Sequence, residues 1–234
     1  MSQDGPATFA PSSITRTPPI RHVIELLGVA VFAVSGVLTA GRKSLDWLGV
    51  AIIAIVTATG GGTLRDVLLD RQIFWIADPT YLLVTLGATA LTLVYVRFHV
   101  PGRRGLLVAD AFGLAFFTIG GTQIAQQAGL SGLLAVIMGT MTGVAGGMVR
   151  DVLCAEIPLI LRRGQLYASS AIVGATLYLI LERFGIARST AALTGMATIA
   201  VVRFAAITWR LELPVLSLEE TQTGSFRRPE RPGS

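Results

Sequence analysis

The sequence predicts an all-α polytopic membrane protein: seven transmembrane helices, arranged as two inverted three-helix repeats plus a seventh helix. Three observations predict it. Hydrophobic residues make up 52% of the 234-residue chain and charged residues only 14%, against about 25% charged in an ordinary soluble domain. Seven apolar runs, at 22–41, 48–69, 79–97, 106–127, 131–154, 165–182 and 189–209, approach the ~20 helical residues that a bilayer core of ~30 Å requires. Finally, Gly60-Gly61-Gly62-Thr63-Leu64-Arg65-Asp66-Val67-Leu68 and Ala145-Gly146-Gly147-Met148-Val149-Arg150-Asp151-Val152-Leu153 are near copies at an offset of 85 residues.

Residues 1–21 are rich in Ser, Thr and Pro and lack the continuous apolar core of a cleaved signal peptide, so they read as an extracytoplasmic segment ahead of a retained first helix. Residues 22–99 form the first repeat and 100–184 the second. The 85-residue offset also aligns Gly28–Gly36 with Gly113–Gly121, and Glu25 with Asp110. In the third helix of each unit Gly87-Ala88-Thr89 matches Gly174-Ala175-Thr176 at an offset of 87, which implies a two-residue insertion. An odd number of helices per unit makes the second copy enter the membrane from the opposite side, and such inverted repeats build a site or path near the midplane. Residues 185–210 hold the seventh helix, which has no counterpart. Residues 211–234, with Pro214, Pro229, Pro232 and mixed charge, read as a mobile cytoplasmic tail.

Orientation follows from Lys and Arg outside the spans. One side receives Arg42, Lys43, Arg103, Arg104, Arg162, Arg163, Arg210 and the tail arginines; the other receives Arg16, Arg21, Arg71, Arg183 and Arg188. The first side is therefore expected to be cytoplasmic, with the N-terminus outside the cell membrane. The net charge of +5 has this topological use and forms no basic stripe interleaved with aromatics, so no nucleic-acid partner is expected. The single cysteine, Cys154, permits no intrachain disulfide and reads as a small apolar side chain. Trp47, Trp75 and Trp209 fall where interfacial aromatics belong. No phosphate loop, dinucleotide fingerprint or HExxH is present, and His22 and His99 lack metal-ligand company, so neither enzyme chemistry nor a metal or other cofactor is expected.

The candidate functional residues are the duplicated glycines and charges. Gly60, Gly61, Gly62, Gly146 and Gly147 admit two uses: close helix packing, or a kink that exposes carbonyl oxygens to a permeating cation or bound solute. Their coupling to Arg65, Asp66, Arg150 and Asp151 favours a functional use, because charges in hydrocarbon are costly and survive where they meet a partner or a wet cavity. Adjacent residues point about 100° apart around a helix, so each arginine is expected to find a partner other than its neighbouring aspartate. Glu25 is depth-matched to Arg65, and Asp110 to Arg150. Glu25–Arg65 and Asp110–Arg150 are thus the expected symmetry-related contacts at the two ends of one path, against the alternative of salt bridges that only fix packing. Arg203, inside the last helix, is expected to snorkel to head groups, with an acid or a subunit interface as other uses.

Taken together, the paired GGGTLRDVL and AGGMVRDVL motifs within two three-helix units and a seventh helix resemble the prokaryotic branch of the trimeric intracellular cation channel family, TRIC, which is also described as a glycine transporter family. The resemblance covers roughly residues 22–209. It implies a homotrimer in membrane lipid, each subunit with its own pore for monovalent cations such as K⁺ or Na⁺. Carried onto this chain, it puts kinks at Gly60, Gly61, Gly62, Gly146 and Gly147 and polar pore residues among Arg65, Asp66, Arg150 and Asp151. A secondary carrier of glycine or another small amino acid is the alternative, with the arginines binding the substrate carboxylate. A purely structural scaffold is disfavoured by the repeated intramembrane charges.

Overall fold

The computed structural model describes residues 19–99, 102–162 and 166–209. The tail read at 211–234, and the N-terminal segment up to residue 18, lie outside the described residues. Eight α-helices form among the described residues: α1 (Pro19–Ala40), α2 (Trp47–Leu68), α3 (Phe74–Ala77), α4 (Thr80–Phe98), α5 (Arg103–Gln127), α6 (Gly132–Leu153), α7 (Tyr167–Arg183) and α8 (Arg188–Trp209). No strand is present among them. Six helices, namely α1, α2, α4, α5, α6 and α8, are long and apolar enough to cross a membrane. The short α3 is a single turn, and α7 has 17 residues, about 26 Å at 1.5 Å per residue.

Local chemistry sets the ends. Asp46 caps α2 by accepting from the Gly49 amide at 2.7 Å. Helices α2 and α6 close identically: Arg71 N donates to Asp66 O and Glu156 N to Asp151 O, both at 2.8 Å. Asp70 (φ 49°) and Ala155 (φ 51°) hold the left-handed position just before. These are Schellman closures made without the usual glycine, at the same place in both copies.

The core is formed by α1, α2, α5 and α6, with α1 against α5 and α2 against α6. The contacts are reciprocal. A Cβ on Gly28 would meet the Phe117 ring at 3.1 Å and one on Gly113 the Phe32 ring at 2.2 Å, while Phe32 and Phe117 stack on each other at 5.2 Å. Because Phe32 and Phe117 are themselves 85 residues apart, each half contacts the other through equivalent residues, as a two-fold relation demands. Helix α8 packs chiefly on the second half, against α5 and α7. Most buried threonines return their hydroxyls to the preceding turn, for example Thr57 to Ile53 O at 2.6 Å and Thr142 to Met138 O at 2.7 Å, which satisfies them without water. Large apolar side chains such as Leu83, Leu91, Phe98 and Val201 stay exposed on the outside, as suits a surface facing hydrocarbon.

The duplicated glycines do not interrupt their helices. Both α2 and α6 run uninterrupted, and the glycines with positive φ, among the described residues, are Gly129 and Gly185 in turns. Close approach is one use the structure shows for these glycines. A Cβ on Gly61 would lie 2.0 Å from the Thr142 carbonyl oxygen, and one on Gly146 2.5 Å from that of Thr57. Here α2 and α6 cross backbone to backbone.

Candidate functional site: two buried arginine clamps

One turn beyond that crossing each helix carries its Arg-Asp pair, and all four side chains are buried. Arg65 Nε and Nη2 both reach Asp66 Oδ1 at 2.8 Å. Arg150 Nε and Nη2 reach Asp151 Oδ1 at 2.9 and 2.8 Å. The expectation that neighbouring Arg and Asp would not pair is therefore corrected. Their Cβ atoms diverge, but arginine's long stem carries the fork back around the helix to its neighbour. The second aspartate oxygen ties down the following connection: Asp66 Oδ2 accepts from Phe74 N at 2.9 Å and Asp151 Oδ2 from Leu159 N at 2.8 Å. Each aspartate thus clamps an arginine to the linker that leaves its helix.

Beyond the clamp the halves diverge. Asp110 and Arg150 are brought together, with Nη1 donating to Oδ1 at 2.8 Å and neither side chain exposed. Nη1 also donates to the Ser35 hydroxyl of the opposite unit. Glu25 and Arg65 are not brought together: no ion pair joins them among the described residues, and Glu25 Oε2 instead accepts from the Tyr81 hydroxyl at 2.6 Å. That expected contact is corrected. The Tyr81 hydroxyl on α4 reaches the longer glutamate, and Arg65 lies near the Phe74 ring, 5.7 Å from its centroid.

Of the candidate glycines, Gly60 borders open space, its nearest neighbour being Gly146 Cα, 3.9 Å from where a Cβ would stand, whereas a Cβ on Gly62 would strike Phe74 at 2.4 Å. Gly147 leaves room for the polar cluster: a Cβ there would sit 2.9 Å from the Tyr167 hydroxyl and 3.1 Å from Asp110 Oδ1. Arg203 does not snorkel. It is fully buried, with Nη2 4.0 Å from Asp110 Oδ2 and its guanidinium 4.5 Å above the Tyr167 ring. Trp75, read as an interfacial aromatic, donates its indole N–H to Thr63 at 2.9 Å. Ser35, Tyr81, Tyr167 and Phe74 escaped the sequence reading. The mismatch of Ser35 with Gly120 at the 85-residue offset was the available signal for the first.

A surface cavity borders the second clamp, lined by Thr39, Lys43, Leu106, Asp151, Glu156 and Arg162. Lys43 and Arg162 grip Glu156 at 2.5 and 2.8 Å. The hydrogen bond and charge of Lys43 hold the Glu156 carboxyl below its ordinary range, with Arg162 adding to the effect. At the corresponding place in the first half stands Arg71. On the Tyr81 side, Asp78 is likewise held low, chiefly by the Thr80 side-chain and backbone hydrogen bonds. No cluster that would hold a metal ion is present among the described residues.

Fold and site together define a multi-pass helical membrane protein whose two like halves meet at a glycine crossing flanked by buried guanidinium–carboxylate clamps. The family described as Glycine transporter matches residues 22–97 and 107–183, one stretch in each half. The inner membrane protein YadS of Escherichia coli K12 is 44% identical over 203 residues, covering 84% of this chain and 96% of YadS. A membrane protein of Vibrio cholerae is 44% identical over 201 residues, covering 84% of this chain and 83% of its own length. Among solved structures, the TRIC trimeric intracellular cation channel orthologue from Rhodobacter sphaeroides is 36% identical, covers 83% of this chain and all (100%) of its own, and superposes with a TM-score of 0.79. A prokaryotic TRIC channel crystallised in 0.5 M KCl is 25% identical, covers 83% of this chain and 98% of its own, and gives a TM-score of 0.77. The chain belongs to the prokaryotic TRIC family, which carries the description glycine transporter.

Proposed function

We propose that this protein is a K⁺-permeable channel for monovalent cations, assembled as a homotrimer in membrane lipid with one path in each subunit around α2 and α6. The observation that carries the reading is the doubled Arg-Asp clamp beside the α2–α6 crossing, in a chain whose solved relatives are cation channels. Buried carboxylates supply negative potential for a cation. The guanidiniums beside them act as electrostatic barriers that must shift for current to pass. In this reading Glu25, Arg65, Asp66, Asp110, Arg150 and Asp151 are the polar elements of the path, and Gly60, Gly61, Gly62, Gly146 and Gly147 shape its waist. Helix α7 crosses as the counterpart of α4, which makes seven spans and inverts the second unit. The excess of Lys and Arg puts the N-terminus outside and the C-terminus in the cytoplasm.

A second reading has its own support. Arginine is an awkward lining for a cation path and a good ligand for a carboxylate, and the family description names glycine. Planar-bilayer recording of the purified protein in asymmetric KCl, followed by glycine uptake into the same proteoliposomes, separates the two. Unitary currents reversing toward the K⁺ potential are the expected result. Saturable glycine uptake without unitary current makes the protein a carrier with Arg65 and Arg150 as substrate ligands.

A further inference from the structure

Arg203 is a buried charge that the duplication does not account for. It stands on α8, which packs chiefly on the second half, and its side chain has no exposure. Asp110 therefore lies between two guanidiniums: Arg150 Nη1 donates to Oδ1 at 2.8 Å, and Arg203 Nη2 faces Oδ2 at 4.0 Å. Oδ2 accepts no hydrogen bond among the described residues. The Tyr167 ring supports Arg203 from its face at 4.5 Å, a cation–π contact. Two guanidiniums and two carboxylates thus come together around Asp110 and Arg150.

The cost of parting a buried ion pair lies mostly in the charge left without compensation. An Arg150 that moves for ions to pass would strand Asp110, unless a second cation already faces that carboxylate. We propose, resting on the channel reading, that Arg203 is a positioning residue for Arg150: a standing second counter-ion to Asp110 that lets Arg150 leave without abandoning Asp110. Arg203 thereby loosens the gate. It also lowers the hold of Asp110 on Arg150, since two like charges share one acid. The first half has no such need, because Glu25 is engaged by Tyr81 and forms no ion pair with Arg65 among the described residues.

The sign of the effect makes the test sharp. Arg203→Met, which keeps much of the volume and removes the charge, should lower the single-channel open probability about tenfold, because Arg150 becomes the cation that keeps Asp110 neutralised. Arg203→Lys, with the charge retained, should restore most of the activity. In an Asp110→Asn background Arg203→Met should have no further effect, since there is no carboxylate left to share. A change of less than twofold in the wild-type background, or an equal loss with and without Asp110, overturns the proposal. If Arg203→Met alone does not assemble, the Asp110→Asn and Arg203→Met/Asp110→Asn proteins are compared directly, and unequal open probabilities overturn it. A second cycle needs no conduction: Arg150→Gln should lower the melting temperature more when Arg203 is methionine than when it is arginine, and equal losses overturn the proposal. Absence of current from the wild-type protein would sink the channel reading alone, and the thermal cycle would still decide whether Arg203 stands by for Arg150.

Discussion

Arg65 and Arg150 occupy the same place in two copies of one helix, and each holds its neighbouring aspartate at 2.8 Å. Their further partners differ. Arg150 also reaches Asp110 on α5 and Ser35 on α1, so it is anchored to both units. Arg65 is held chiefly by the residue beside it, with the Phe74 ring 5.7 Å away. The duplicated backbone preserved what depends on local geometry, the closing turn and the clamp. Divergence at a few side chains then tied one arginine across the molecule and left the other on its own helix. With fewer partners, Arg65 is accordingly the readier to move.

The strongest way to break this comparison is to delete each arginine. Arg150→Ala leaves Asp151 without its cation and removes the contacts to Asp110 and Ser35, and should destabilise the protein by about 3–5 kcal/mol, read as a lower melting temperature in detergent. Arg65→Ala strands only Asp66 and should cost less stability, while altering conductance more than assembly. Equal thermal losses would show that the cross-unit contacts of Arg150 contribute nothing.

The crossing between the arginines is the next test. Gly61→Ala drives a methyl to within 2.0 Å of a backbone oxygen, and overpacking of this kind costs about 1–3 kcal/mol. Gly60→Ala faces open space and should stay within about 0.5 kcal/mol of wild type. A smaller effect sharpens the asymmetry itself. Ser35→Ala should cost about 1.5–3 kcal/mol at most, the worth of a hydrogen bond to a charged group, and free Arg150. The reverse substitution restores symmetry: Gly120 has nothing within 4 Å of a Cβ and stands at the repeat position equivalent to Ser35, so Gly120→Ser should anchor Arg65 and lower the open probability. An unchanged channel would show that Arg65 is out of reach of α5.

The smallest effect is pH-dependent and belongs to the second half. The folded-state pKa of Glu156 lies below its ordinary 4.5, so its grip on Lys43 and Arg162 contributes fully above that value and is lost as pH falls through the depressed one. Thermal stability should therefore drop slightly on acidification below 4.5, and Glu156→Gln should remove that component of the profile. Arg71, at the equivalent position, carries no carboxylate to titrate.

The reach of the sequence differs from one part of the site to another. Asp110 opposite Arg150 was legible, because depth along two adjacent helices can be counted in residues. Glu25 opposite Arg65 failed by the same count, since counting depth does not reveal that a tyrosine on α4 reaches the acid. Triple glycine left packing and kinking open, and only the closeness of Thr142 O to where a Gly61 Cβ would stand reveals the packing use. Neighbouring Arg and Asp were set apart by their angular positions, and the flexible reach of arginine overrode the angle.

By itself the sequence determined the membrane class, the duplication, the position of each long helix to within a few residues, and the residues at which charge enters the apolar core. Those properties are averages over ~20 residues, or near copies of one segment, and survive without knowledge of neighbours. Only the tertiary structure decided that Arg203 turns inward to Asp110, that Glu25 belongs to Tyr81, and that Ser35 meets Arg150 from 115 residues away. An ion pair or hydrogen bond is made or lost within about 1 Å, and separation on that scale between distant helices is set by how they pack.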